Sequence, residues 1–260
     1  MNRFEGKVVI VTGAGSGIGA GTARRFLMEG AFVTLNGRRK RKLQETIEGF
    51  DAAKSFVHPG DVSDEAYVKR LVKDTVAKFG KLDVLVNNAG MAIFGPFEKT
   101  TTKVWRKVME TDLDSVYFSC RESLPHLLKT KGSIINLSSA SGLAGDWGMS
   151  SYNAAKGAVT NFTRSLALEY GSRGVRVNAV APSLTSTAAT SELEKSKELM
   201  AAFRDRLPIG RAATPDDIAG VIAFLASKDA VFVNGVILPV DGGLNASNGQ
   251  PNFLSILGKK

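Results

Sequence analysis

The chain has 260 residues, is 43% apolar, and sets 34 Lys and Arg against 25 Asp and Glu for a formal net charge of +9. That length suits one large α/β domain or two small ones, with enough apolar content for a substantial core. Apolar runs such as residues 8–11 and 84–86 are far too short to cross a membrane, and the single cysteine, Cys120, excludes an internal disulfide. A cytoplasmic setting is expected, with a first strand starting near Lys7 too early to leave room for a signal peptide.

Short β-branched runs alternate with stretches of helical periodicity. Strands are expected over residues 7–12, 32–36, 55–58, 82–87, 133–138, 175–181 and 236–239. Helices are expected over 17–29, 40–48, 64–79, 102–128, 150–170 and 215–226. This alternation predicts βαβ units and a parallel sheet covered by helices on both faces. No linker, repeat or low-complexity tract divides the chain, so residues 1–260 are read as one domain. Residues 183–207 break the regularity, Ser/Thr-rich at first and helix-like from Glu192, and are either a lid or a surface excursion. The tail from 243 to 260 has weak local structure.

After the first strand, Thr12–Gly19 carries Gly13, Gly17 and Gly19 in a G-x-x-x-G-x-G spacing, with Ser16 and Ile18 between. Glycines there allow a tight turn and close backbone approach, and the helix that follows offers free N–H groups to a pyrophosphate. The second strand ends Asn36-Gly37-Arg38-Arg39 with no acid in reach. An acid at that point would accept the ribose 2′-hydroxyl of NAD, whereas an arginine accommodates the 2′-phosphate of NADP. The basic run 38–42 could by itself be a localisation signal, a nucleic-acid patch or a solvated helix start. Its position makes it a cofactor selector, with NADP(H) preferred and NAD(H) possible. Asp61-Val62 after the third strand would receive the adenine edge or cap the next helix. Asn88, Ala89 and Gly90 end the fourth strand where close contact with a ligand is expected.

Tyr152 and Lys156 stand four residues apart on one helix face. An ammonium beside a phenol favours the phenolate, which makes this pair a candidate proton donor and its tuner. No His, Cys or carboxylate cluster has metal-ligand spacing, and His58 and His126 are isolated.

Together these stretches resemble the short-chain dehydrogenase/reductase family. The match runs through Thr12–Gly19, Asp61-Val62, residues 87–90, Ser139, Tyr152 to Lys156, residues 176–182 and residues 239–243. The resemblance implies a single Rossmann-like domain with a doubly wound parallel sheet of about seven strands. It also implies hydride transfer between NAD(P) and a carbonyl or alcohol, in a homotetramer or less often a dimer. Tyr152 looks like the general acid/base, Lys156 its electrostatic partner and a holder of the nicotinamide ribose, and Ser139 the serine thirteen residues earlier. Asp112 stands where the family has a catalytic asparagine, and Ser183 where a glycine usually follows Pro182. Thr187 takes the place of the threonine that touches the nicotinamide end, and Thr185 stands where an aliphatic residue is usual. An acid near Lys156 would offset part of the lysine's field and move alcohol oxidation toward alkaline pH.

Substrate contacts are expected from Ile93 and Phe94, from Leu143, Asp146, Trp147 and Met149, and from Leu184. This mostly apolar set suits a small or medium ketone, with Asp146 able to hold an amine or hydroxyl beside the carbonyl. The loop 145–148 and the tail resemble acetoin/butanediol dehydrogenases and carbonyl reductases. The alternative is a 3-oxoacyl-thioester reductase whose Arg121, Lys129 and Lys131 meet an acidic carrier protein. The Ser139/Tyr152/Lys156 set argues against a nucleic-acid-binding protein that merely kept the fold, and no membrane partner is expected.

Overall fold

A computed structural model describes residues 2–258; Lys259 and Lys260, at the end of the expected tail, and Met1 lie outside the described residues. Seven strands form one parallel sheet in the order β3-β2-β1-β4-β5-β6-β7. They are β1 (Val8–Val11), β2 (Phe32–Gly37), β3 (Ser55–Pro59), β4 (Val84–Asn87), β5 (Ser133–Leu137), β6 (Arg176–Pro182) and β7 (Ile237–Val240). The helices are α1 (Gly17–Met28), α2 (Lys40–Thr46), α3 (Glu65–Phe79), α4 (Thr102–Met109), α5 (Ser115–Thr130) and α6 (Ser150–Gly171). They continue with α7 (Ser191–Lys195), α8 (Lys197–Arg206), α9 (Pro215–Ala226) and α10 (Phe253–Ile256).

Strand periodicity divides the core. Val9 and Val11 of β1 pack with Phe26 of α1 and Ile218 and Ile222 of α9 on one face. Val8 and Ile10 pack with Leu71 of α3, Leu127 of α5 and Val159 of α6 on the other. Alternate residues of one strand thus serve two cores, which is why the strands read as continuous apolar runs. The sheet is the expected doubly wound one. From β1 the chain runs outward to β2 and β3 on one side and to β4 through β7 on the other. The crevice at that reversal, beyond the carboxyl ends of the strands, is where such sheets bind ligands.

Two expectations are refined. The single helix expected over 102–128 is α4 and α5 joined by a π turn at Glu110–Asp114. The extra residue carried by such a turn is invisible to a periodicity count, and π turns are frequent at functional sites. The helical part of 183–207 is broken at Ser196, an extended residue whose hydroxyl accepts from Leu199 N at 3.2 Å and starts α8.

Candidate active site

A cleft of about 430 Å³ crosses the carboxyl ends of the strands. Its lining includes Gly13, Ser16, Gly17, Ile18 and Gly19 after β1, Arg38 and Arg39 after β2, and Asp61 and Val62 after β3. Asn88, Ala89 and Gly90 line it after β4, and Pro182, Thr185 and Thr187 after β6. Ser139, Tyr152 and Lys156 line it as well.

Local chemistry explains the glycine loop. Ser16 is the N-cap of α1 yet makes no side-chain capping bond, so the first N–H groups of that helix remain available to an anion. A Cβ on Gly19 would stand 2.3 Å from Gly13 O, so only glycine lets the loop close on the helix. Asn88 Nδ2 donates to Thr12 O at 2.8 Å, and Thr12 Oγ1 accepts from Asn88 N and Ala89 N at 2.9 and 3.1 Å. These bonds tie the end of β4 to the loop after β1. Asn87 instead donates to Asn136 Oδ1 at 2.9 Å and belongs to the sheet interior.

Among the described residues neither Arg38 nor Arg39 forms an ion pair, whereas Arg41 and Lys42 both pair with Glu45. The two uncommitted guanidiniums lie along the cleft with no carboxylate at the end of β2. A path of glycines, an open helix N-terminus and two free arginines fit a dinucleotide. Asp61 Oδ1 accepts from Ser63 N and Ser63 Oγ at 3.0 and 2.8 Å. Burial raises this carboxyl, but those two bonds and the nearby Arg38 outweigh it and hold it below its ordinary range. The cap of α3 is Asp64, which accepts from Ala66 N.

Elsewhere in the cleft, Lys156 is buried; its Nζ donates to Leu137 O at 2.9 Å and lies 5.6 Å from the centroid of the Tyr152 ring. Asp112, fully buried in the π turn, places Oδ2 3.2 Å from Lys156 Nζ, while its Oδ1 accepts from Met91 N at 2.8 Å. The approach expected of Asp112 is therefore direct. Burial alone would lower the Lys156 ammonium, but Asp112 first and Tyr152 second outweigh it and hold it above its ordinary value. Burial pushes the Asp112 carboxyl up, against the pull of Lys156 and the Met91 N–H.

Ser139 Oγ accepts from Ser141 N at 3.2 Å and donates to Ser141 Oγ at 3.2 Å. Ser138 is spent on packing: its hydroxyl bonds Thr160 Oγ1 at 2.7 Å, with Lys156 O at 3.4 Å. Of the two adjacent serines, Ser139 is the one whose hydroxyl is not tied to α6.

The expected substrate residues are not part of the cleft lining. Ile93 and Phe94 lie on one loop and Leu143, Asp146, Trp147 and Met149 on another, joined where Gly95 N donates to Gly148 O at 2.9 Å. Phe94 and Trp147 are exposed, Trp147 at 96%. Leu184 is buried, and its carbonyl accepts from Ala213 N. Sequence reasoning missed Thr190, whose hydroxyl donates to Thr185 O at 2.7 Å and accepts from Thr187 N at 2.9 Å, so it fixes two residues of the cleft wall. It also missed Met91, which acts through its backbone, and Ser141, which joins Ser139 to Asp146. A backbone donor leaves no sequence signal, while Ser141 stood among three neighbouring serines.

Fold and site together define a nicotinamide-dependent oxidoreductase. The family model described as Enoyl-(Acyl carrier protein) reductase matches residues 13–245. The chain is 46% identical to meso-2,3-butanediol dehydrogenase of Serratia marcescens, over 97% of this chain and 100% of that one. It is 40% identical to the NADP-dependent (R)-specific alcohol dehydrogenase of Lentilactobacillus kefiri, over 94% and 99% of the two. The crystal structure of gox2181 superposes with a TM-score of 0.90 at 32% identity, covering 95% and 98% of the two chains. The chain belongs to the short-chain dehydrogenase/reductase family and is an oxidoreductase of alcohol and carbonyl groups.

Proposed function

We propose that the protein is an NADP(H)-preferring carbonyl reductase and alcohol dehydrogenase of small or medium substrates, among them ketones with a neighbouring hydroxyl. The reading rests chiefly on one observation: the cleft that runs beside the unpaired Arg38 and Arg39 also contains Ser139, Tyr152 and Lys156. Arg38 and Arg39 would hold the 2′-phosphate, the glycine loop and the start of α1 the pyrophosphate, and Lys156 the nicotinamide ribose. When bound, that cofactor supplies or takes the hydride. Tyr152 gives its phenolic proton to the carbonyl oxygen in reduction and receives it in oxidation. Ser139 donates to the same oxygen as negative charge develops there, a contribution of about 3 kcal/mol in comparable sites. Lys156 supports the phenolate, and Asp112 moderates that support. The 46% identity to the butanediol dehydrogenase of Serratia favours a vicinal diol or hydroxy ketone as the substrate.

The test is a panel of ketones, hydroxy ketones and an acetoacetyl thioester, each assayed with NADPH and NADH. Faster oxidation of NADPH by a small diketone or hydroxy ketone, lost in Tyr152→Phe and turned toward NADH in Arg38→Asp, is the expected result. Turnover of the thioester alone, or full activity in Tyr152→Phe, would overturn it.

A further inference from the structure

Asp146 is two hydrogen bonds from Ser139. Its Oδ2 accepts from Ser141 Oγ, and Ser141 Oγ in turn accepts from Ser139 Oγ at 3.2 Å. The backbone of Asp146 is anchored independently, its carbonyl accepting from Asn153 Nδ2 at 3.0 Å beside Tyr152. The direction of this chain follows from donor counting. A carboxylate only accepts, so the single Ser141 proton is committed to Asp146. Ser141 Oγ can then only accept from Ser139, and the Ser139 proton points along the chain. Meanwhile Ser141 N–H holds the Ser139 oxygen from a second direction.

We propose that Asp146 is a positioning residue that acts through Ser141: it parks the Ser139 proton when no substrate is bound and leaves the Ser139 oxygen fixed for either direction of reaction. Facing an alcohol, Ser139 offers a lone pair to the substrate hydroxyl. Facing a carbonyl, it turns its proton from Ser141 to the substrate oxygen while the Ser141 N–H keeps the oxygen in place. The only change is one hydrogen bond released and one made, with no proton leaving Ser139. Without the carboxylate, Ser141 is free to donate to Ser139, and the serine pair has two orientations instead of one.

This inference rests on Ser139 being the serine that meets the substrate. The experiment uses the full-length enzyme with bound NADPH and a simple ketone that has no second polar group, so that no substrate atom can gain from touching Asp146. Ser141→Ala and Asp146→Ala should each slow single-turnover reduction about tenfold, the rate equivalent of one neutral hydrogen bond. Cofactor affinity and KM for the ketone should stay near wild type. Asp146→Asn, which can still accept through its amide oxygen, should restore most of the rate. The double variant Ser141→Ala/Asp146→Ala should be no slower than Ser141→Ala alone. A second readout needs no cofactor: a neutron structure should find the Ser139 deuteron on the line to Ser141 Oγ. Additive losses, an Asp146→Asn enzyme as slow as Asp146→Ala, or a deuteron directed into the cleft would overturn the proposal. Ser139→Ala separates the layers. Undiminished turnover in that variant would remove the underlying reading of Ser139, whereas an inactive Ser139→Ala with an additive cycle would remove only the role of Asp146.

Discussion

Lys156 and Asp112 face each other at 3.2 Å with both side chains out of solvent, so their charges interact under little screening. An asparagine at 112 would leave the field of the ammonium undiminished at Tyr152. Asp112→Asn should therefore move the acidic limb of the pH–rate profile for alcohol oxidation to lower pH. Rapid-mixing assays from acid to alkaline pH check this, and an unmoved limb would take Asp112 out of the proton-transfer machinery. The position of Asp112 could be found in the sequence because the family pattern places an asparagine there. Its second tether could not, since Met91 holds it through a backbone N–H that any residue supplies. The same division separates Ser139 from Ser138: the spacing to Tyr152 selects Ser139, but only packing reveals that Ser138 is spent on Thr160.

Strands and helices were legible where periodicity and end signals coincide. Helix α9 begins with Thr214, Pro215 and Asp217, in which Asp217 N donates to Thr214 Oγ1 and Thr214 N to Asp217 Oδ2, a reciprocal cap written into the sequence. The breaks at Glu110–Asp114 and Ser196 were illegible, because each falls inside a run with helical pattern, the first at a π turn and the second at a serine that caps the next helix locally. The end of α1 shows a bond network with a pH signature. Glu29 accepts from Arg3 Nη2 at 2.7 Å and pairs with Arg25, joining the amino-terminal segment to the helix. Burial would raise this carboxyl, but Arg3 and Arg25 prevail and hold it below its ordinary value. A depressed folded-state value means that the contribution is complete above the unfolded pKa and fades as pH falls through the folded one. Glu29→Gln should thus lower the urea midpoint at neutral pH, with the difference from wild type closing in acid. A gap that stays constant with pH would show that packing, not charge, is what Glu29 contributes.

At the scale of the molecule, several apolar side chains meet solvent, and one group of them adjoins the end of α6. Leu168 of α6 and Val231 and Phe232 before β7 are exposed, Phe232 at 99%. Asn234 ties that turn to the helix by donating to Ala167 O at 2.9 Å. We propose, in line with the family resemblance, that the chain assembles as a homotetramer. Light scattering should return about four times 27.7 kDa, and Phe232→Asp should lower that mass if the exposed face takes part. A monomer at micromolar concentration would remove the proposal. The turn at Glu110–Asp114 also sets the clocking of the helical rod that contains it. Winding the same residues as one uniform α-helix, with no π turn to absorb the extra one, would rotate all that follows by about 100°. Val116, Cys120, Leu124 and Leu127, the seam by which α5 grips the sheet, would then swing away from it unless α4 turned instead. The bend that carries Asp112 to Lys156 is also a phase shifter, letting one continuous rod present different sides to two different neighbours.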